Sequence, residues 1–450
     1  MNREPTTSPA DRVDAGRLLD DGAWSGYQKL LVLATALTII LDGVDNQLLP
    51  NAIPTLIREW AQPRAAFTTA LAIGPFGMMI GGLLGGIVGD RFGRRPALLG
   101  SVCAFGALTA AVAFANSIAT VEILRLLAGI GLGGAMPNAA TLASEYAPRR
   151  SRPLAVTLTI VAIPLGGALA GEVAALVIPA HGWRMLFGFC GLASIALGAV
   201  LWTLLPESPK FLVRRRDRWP ELAKVLQRSG LTVRADAAFL QSDSTIKPRP
   251  ALARLFQDGL AADTVAIGAA FFFNLMTNYV AVLLLPALLT SATVGFSQPI
   301  ASRGLAMWNY GGVAAAVAGA FVIQRVGSRG AMLAMAVGAV AFGIVLAVWP
   351  VAAAETGRSL FLILILGAFV NGVQTTMYAL AAHIYPTDIR STGVGTAVAV
   401  GRIGNVVAAY VGSTAIDRGG SSGYFALMAG LMLLVCASLA AIKRHVPRAV

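Results

Sequence analysis

Charge is what this sequence has least of. Asp, Glu, Lys and Arg make up 13% of its 450 residues, where a soluble globular chain carries about 25%. Together with 56% hydrophobic residues and a mean hydropathy of +0.71, this scarcity excludes a soluble protein and requires an integral membrane one. Cysteine is scarcer still. Cys103, Cys190 and Cys436 lie in apolar runs without C-x-x-C spacing, which gives no disulfide framework and no thiolate metal site. His181, His383 and His445 are too far apart for metal-ligand spacing, so no metal is expected. There is no Gly-Lys-Ser/Thr phosphate loop and no nucleophile–base pairing. ATP-driven transport and enzymatic activity are therefore not expected, and no cofactor beyond a coupling proton is. Residues 1–26 are polar with no apolar h-region and read as a cytoplasmic tail, not a signal peptide.

What is abundant is apolar sequence in runs of spanning length. They fall near 28–50, 66–88, 96–115, 119–145, 153–178 and 183–205, then near 263–290, 299–324, 331–350, 358–383, 391–416 and 422–442. A polar, basic segment over 206–262 separates the two sets of six. The reading is an all-α membrane protein of twelve transmembrane helices. It has a tail over 1–26, a six-helix bundle over 27–205, a central loop over 206–262, a second bundle over 263–442 and a tail over 443–450. Of the 35 Lys and Arg, six (Arg58, Arg64, Arg184, Arg303, Arg358, Arg418) fall on the side opposite the termini. Arg125 and Arg402 fall inside spans, and the rest fall on the side that holds the termini and the central loop. Positive charge collects on the cytoplasmic side of membrane proteins, so both termini are expected in the cytoplasm. The net charge of +13 is then a topology signal and not a nucleic-acid surface. The run Arg214–Arg218 reads as a topology determinant touching anionic lipid.

The first span carries two acids. Asp42 and Asp45 stand three residues apart in Leu41-Asp42-Gly43-Val44-Asp45-Asn46-Gln47, on one helix face. At 1.5 Å per residue from Lys29 they lie roughly 20 Å and 24 Å into the bilayer. An ionised carboxylate is costly there, which marks a functional site. The alternative is a helix that ends at Leu41 and leaves both acids wet; Leu48, Leu49 and Ile53 continue the apolar run beyond them. Arg125, entering from the other side, reaches nearly the same depth. Either Asp42 or Asp45 carries a coupling proton with Arg125 tuning it, or an acid and Arg125 form a static pair that locks two helices together. Arg402 is near the midplane of its span with no acid in that span. It is suited to a substrate carboxylate, or else bonds backbone carbonyls or a first-half acid. Asn274, Asn278, Tyr279, Trp308, Asn309, Tyr310, Asn371, Gln374 and Tyr378 place rings and amides in spans seven, eight and ten. These suit an aromatic substrate bearing polar groups, or else cross-helix hydrogen bonds.

The halves echo each other. Arginine, glycine and arginine of Gly89-Asp90-Arg91-Phe92-Gly93-Arg94-Arg95 recur in Arg325, Gly327 and Arg329 at a shift of 234. Glu145-Tyr146-Ala147-Pro148-Arg149 after span four is matched by Tyr385-Pro386-Thr387-Asp388-Ile389-Arg390 after span ten. Repeated halves are expected of transporters that rock about a central site. Gly93 permits a tight turn, and Asp90 can face the positive N-terminal end of span eleven, which begins near Ser391. Glu145 with Arg149 and Arg150 reads as a charge network or as a solvated helix end.

At these residues the chain resembles the major facilitator superfamily. The loop Gly89–Arg95 is similar to that superfamily's signature, and Arg125 with Gly129 and Gly133 to its fourth-helix motif. More narrowly it resembles the aromatic acid:proton symporters. The residues that carry this are Asp42 to Asp45, Gly134-Ala135-Met136-Pro137-Asn138, Glu145-Tyr146, Pro206 to Leu212, Tyr385-Pro386-Thr387, Arg390, Gly393 and Arg402. Gln324 departs from the acid common in the group's second-half signature, and Asn46-Gln47 is unusually polar. The resemblance implies the two-bundle major facilitator fold and alternating access. It further implies proton-coupled uptake of a hydroxybenzoate-like acid across the inner membrane by a monomer, and gating by Gly89, Asp90, Arg91, Gly93, Arg94, Glu145, Arg149 and Arg390. In that picture Asp90 latches the outward-open state. Symport of another small organic acid, or proton-antiport efflux, is the alternative.

Overall fold

The computed structural model describes residues 12–234, 237–240, 251–257, 259–349, 351–386 and 389–445. Thr387 and Asp388, residues 1–11 of the N-terminal tail, residues 241–250 and the last five residues lie outside the described residues. A short helix α1 (Ala15–Asp21) precedes the first span, α2 (Gly26–Trp60). A capping box starts α2: Ser25 Oγ accepts from the Gln28 N–H at 3.2 Å, and Gln28 Oε1 accepts from the Ser25 N–H at 2.9 Å. The helix then runs unbroken through Asp42 and Asp45 to Trp60, so it does not end at Leu41.

Next come α3 (Thr68–Phe92), α4 (Arg94–Val112), α5 (Ile118–Tyr146) and α6 (Arg152–Leu204). The central segment holds α7 (Pro209–Val213), α8 (Trp219–Arg228) and α9 (Ala251–Arg254). The second half holds α10 (Ala261–Leu289), α11 (Gln298–Val326), α12 (Ser328–Val348), α13 (Thr356–Ile384) and α14 (Arg390–Ala441). Among the described residues nine helices are long and apolar enough to cross a membrane. Two of them are double: α6 breaks at Gly182 (φ 77°) and α14 at Gly420 (φ 56°), each into two spans. With the 29-residue α11, which is not among those nine, this makes twelve long helical segments among the described residues, six before α7 and six after α9.

The glycine joints repeat between halves. Gly93 (φ 109°) separates α3 from α4, and Gly327 (φ 82°) separates α11 from α12. Both are left-handed positions where a side chain would be strained. Within the first half α2 packs on α6 and α3 on α5; within the second, α10 packs on α14 and α11 on α13. Close approach explains much of the glycine content: a Cβ on Gly77 of α3 or on Gly129 of α5 would strike the other helix's backbone.

Two findings on the terminus side differ from the sequence reading. The tail and the central segment are not plain polar connectors. Arg12–Val13 pairs in parallel with Ala238–Phe239, and Leu19, Leu212, Leu222, Leu226 and Phe239 form a separate small core. The pairing joins residues more than 200 positions apart, which local pattern does not reveal.

The second difference concerns Glu145. It does not meet Arg149 or Arg150, both of which are exposed. Its partners are Arg94 (Nε–Oε1 3.6 Å) and the Ser208 hydroxyl. Beside it, Glu207 Oε1 accepts from the backbone N–H groups of Arg94 (2.9 Å), Arg95 (3.1 Å) and Ser208 (2.7 Å). Gly93 has no side chain to cap α4, and the Glu207 carboxylate supplies the cap from the loop after the sixth span. Capping groups and helix-dipole partners contribute about 1–2 kcal/mol. Glu207→Ala is therefore expected to lower the thermal midpoint of the detergent-purified protein, with Glu207→Gln intermediate. An unchanged midpoint for the alanine variant would contradict the capping role.

Candidate functional site

The two bundles enclose a cavity of about 330 Å³, the size of a small-ligand pocket. Its polar lining includes Asp42, Asn46 and Gln47 of α2, Asn278 and Tyr279 of α10 and Asn309 of α11. Asn371, Gln374 and Tyr378 of α13 and Arg402 and Asn405 of α14 complete that part of the wall. Ile39, Met78, Ile163, Pro164, Leu275 and Val398 supply apolar wall.

The two acids of the first span have different surroundings. Asp45 is 2% exposed. Its Oδ2 lies 2.9 Å from Arg125 Nη1, and its Oδ1 accepts from the Thr109 hydroxyl. This closed cluster belongs to the first bundle, and neither Asp45 nor Arg125 lines the cavity. Asp42 is 5% exposed, lines the cavity, and has an Oδ1 with no hydrogen-bond partner. Arg402 lies within its electrostatic reach. Arg402 itself donates from Nη1 to the Met78 carbonyl of α3 at 2.7 Å, one of the two alternatives to a substrate carboxylate that the sequence left open. That bond crosses between bundles at the cavity wall.

Six of the nine ring and amide residues gather at the cavity: Asn278, Tyr279, Asn309, Asn371, Gln374 and Tyr378. Trp308 is buried behind them and donates from Nε1 to Asn278 Oδ1 at 3.0 Å, while Asn278 Nδ2 donates to Gln374 Oε1 at 2.7 Å. Tyr378 meets Phe271 edge-on, with ring centroids 5.2 Å apart. Tyr310 and Asn274 are outside the lining; Asn274 is fully buried with both amide atoms unpartnered.

Asn46 and Gln47, notable in the sequence only for their polarity, bridge the halves. Asn46 Nδ2 donates to the Tyr279 hydroxyl at 3.2 Å. Gln47 and Asn309 exchange amide bonds in both directions, at 3.0 and 2.9 Å. Beyond them, on the side away from the termini, Gln298 Nε2 donates to the Asn51 carbonyl at 2.6 Å, Arg64 Nη1 to Ser413 Oγ at 2.8 Å, and Arg64 pairs with Asp417. Cross-bundle bonds thus close the far side. The lining continues toward the termini through Met136, Ala140 and Val156, as in a cleft facing the terminus side.

The expected gate residues are placed accordingly. Gly89 packs against the Asn138 side chain. The Asp90 side chain is 71% exposed and pairs with Arg94 at 3.3 Å, not with the start of span eleven. The Arg91 guanidinium stacks on Phe92 at 5.4 Å. The Arg149 N–H donates to the Asp20 carbonyl at 3.1 Å, and Arg390 Nε donates to the Tyr385 carbonyl at 3.4 Å. A latch at Asp90 belongs to a closed terminus side, and here Asp90 pairs within its own loop.

The family described as sugar (and other) transporter matches residues 52–442. The chain belongs to this family. It is 32% identical to the gallate transporter of Pseudomonas putida, covering 93% of this chain and 92% of that one. It is 33% identical to the 4-hydroxybenzoate transporter PcaK of Pseudomonas putida, covering 90% of each. A partially occluded inward-open structure of the xylose transporter XylE from E. coli aligns with a TM-score of 0.71 at 17% identity, over 94% of this chain and 99% of that one. This likeness establishes the major facilitator fold. By its family the chain is a multi-pass membrane transporter and not an enzyme.

Proposed function

We propose that the chain is a symporter that imports an aromatic carboxylic acid of the hydroxybenzoate type together with protons. It works by alternating access, as a monomer in the inner membrane with both termini in the cytoplasm. The observation that carries this reading is Arg402: a guanidinium in the wall of a mixed aromatic and amide cavity, bonded to a backbone carbonyl and, among the described residues, to no carboxylate. Such a group is matched by a carboxylate from the cargo. The rings of Tyr279 and Tyr378 and the surrounding apolar wall suit an aromatic body. The names of the relatives, gallate and 4-hydroxybenzoate transporters, agree with that chemistry.

Proton coupling is assigned to Asp42. An ionised Asp42 and a substrate carboxylate would compete for Arg402, and protonating Asp42 lets the anion dock. Asp45, already satisfied by Arg125 and Thr109, is left as a structural acid. No cofactor other than the proton enters this cycle. Efflux of cations by antiport leaves Arg402 without a role.

The test is uptake of radiolabelled 4-hydroxybenzoate into cells expressing the chain, with and without an uncoupler. Wild-type uptake is expected to vanish with the uncoupler. Arg402→Ala loses a charge-assisted bond of about 1.5–3 kcal/mol, so affinity falls roughly tenfold to hundredfold, and Arg402→Lys retains part of it. Wild-type affinity in the alanine variant would remove the carboxylate assignment, and uncoupler-resistant accumulation would remove the symport.

A further inference from the structure

Six of the amides around the cavity are held by the protein itself. Asn46 bonds Tyr279, Gln47 and Asn309 bond each other, Asn278 bonds Gln374, and Asn371 bonds the Gly367 carbonyl. Asn405 differs. It is 7% exposed, it lines the same cavity, and no hydrogen bond from the described residues reaches it; its Oδ1 is buried without a partner among them. A buried amide normally finds a partner, because leaving it unpaired forfeits its hydration with nothing in return. Asn405 stands three residues after Arg402, so the two share one face of α14. One wall therefore presents a guanidinium and, a helical turn further on, an amide with unfilled bonding capacity.

We infer that Asn405 is the specificity-determining residue for ring hydroxylation: it bonds a phenolic hydroxyl of the substrate whose carboxylate sits on Arg402. This rests on the aromatic-acid reading above. A hydroxyl both donates and accepts, so it satisfies the amide in either orientation of its oxygen and nitrogen. An unsubstituted ring in the same place leaves Asn405 unpaired. A site built to bond a substrate hydroxyl rejects the analogue lacking it far more strongly than an apolar pocket rejects a missing methylene. The remaining amides already bond the protein, and any bond they make to cargo is added to those; Asn405 has no bond to keep. Its role acts on the choice among aromatic acids and leaves the carboxylate contact to Arg402.

The experiment is equilibrium binding to the purified full-length protein in detergent. Radiolabelled 4-hydroxybenzoate is competed by unlabelled 3-hydroxybenzoate, 4-hydroxybenzoate and benzoate. Wild type is expected to bind a hydroxylated acid at least about tenfold more tightly than benzoate. Asn405→Leu, close in volume and apolar, is expected to weaken that acid roughly tenfold to hundredfold while leaving benzoate unchanged or tighter. Asn405→Ser, which keeps a hydrogen-bonding group, retains part of the preference and serves if the leucine variant does not fold. Equal weakening of hydroxylated acids and benzoate overturns the inference, because Asn405 would then support the carboxylate or the packing. Unaltered selectivity in both variants overturns it as well. If wild type binds benzoate as tightly as the hydroxylated acids, the inference fails while the aromatic-acid reading stands. If wild type binds none of them, that reading fails and takes this inference with it.

Discussion

Asp42→Asn is expected to reduce concentrative uptake to background while exchange of preloaded for external substrate continues. The two side chains have the same shape, so the cavity is preserved, but asparagine cannot take up and release a proton. The Asp42 Oδ1 has no partner among the described residues, and the residue lines the cavity with Arg402 in electrostatic reach. A bare carboxylate is expensive at this depth, and a proton removes the cost at the moment a substrate anion claims Arg402. A permanently neutral side chain leaves Arg402 always ready for substrate. The bundles can then rock with cargo bound, but a proton gradient no longer drives the direction. Counterflow in reconstituted vesicles measures exchange, and uptake under an imposed pH gradient measures coupling. Loss of both would mean that Asp42 holds the substrate or the fold; retention of both would move the coupling proton elsewhere.

The spans were legible in the sequence because hydropathy integrates over about twenty residues, and a few polar positions do not disturb it. The paired acids were legible for the converse reason: charge stands out where it is costly. What the pattern could not give was the difference between Asp42 and Asp45. They share a helix face, yet one faces Arg125 and Thr109 within its own bundle and the other faces the cavity. That difference depends on α5 packing against α2 and on the Thr109 hydroxyl of α4 reaching Asp45, which is long-range information. Glu207 was missed as a helix cap for the same reason: the N–H groups it accepts lie more than a hundred positions earlier. Sequence proximity pairs Glu145 with Arg149 and Arg150, and the fold brings it Arg94 instead. Asn405 is an ordinary amide in a span until its lack of a partner is seen. Its spacing of three from Arg402 was the available signal.

The halves also differ in what their contacts ask of a transport cycle. On the far side the cross-bundle bonds include an amide bond, Gln298 to the Asn51 carbonyl, and an ion pair with hydroxyl support, Arg64 with Asp417 and Ser413. Neutral amide bonds exchange for water at a net cost of about 1 kcal/mol each, so this closure opens without a large barrier. On the terminus side, Asp90 and Arg94 form a pair within one loop, ready to be re-partnered when the other half approaches. A transporter needs closures of this modest kind at both ends, because a gate that is too stable stops the cycle.

The Asp45–Arg125 pair behaves differently, and its removal is expected to give the largest loss of stability. Both side chains are almost wholly buried, at 3% and 4% exposure. Taking away one partner leaves the other's polar group or charge unmatched, at about 3–5 kcal/mol. Asp45→Asn and Arg125→Met should each lower the thermal midpoint of the detergent-solubilised protein markedly. The double variant should lose much less than the two losses combined, because it buries no uncompensated charge. Fluorescence-detected gel filtration after heating measures all four proteins on one scale. If both single variants kept the wild-type midpoint yet lost coupled uptake, the pair would belong to the proton path and Asp42 would not carry the coupling alone. If the single variants unfold early and the double variant regains stability and exchange, the pair is a brace between α2 and α5. Thr109, whose hydroxyl donates to Asp45, extends the brace to α4. Three helices of the first bundle are then fixed around one carboxylate, and Asp42, three residues earlier on the same helix, is held facing the cavity.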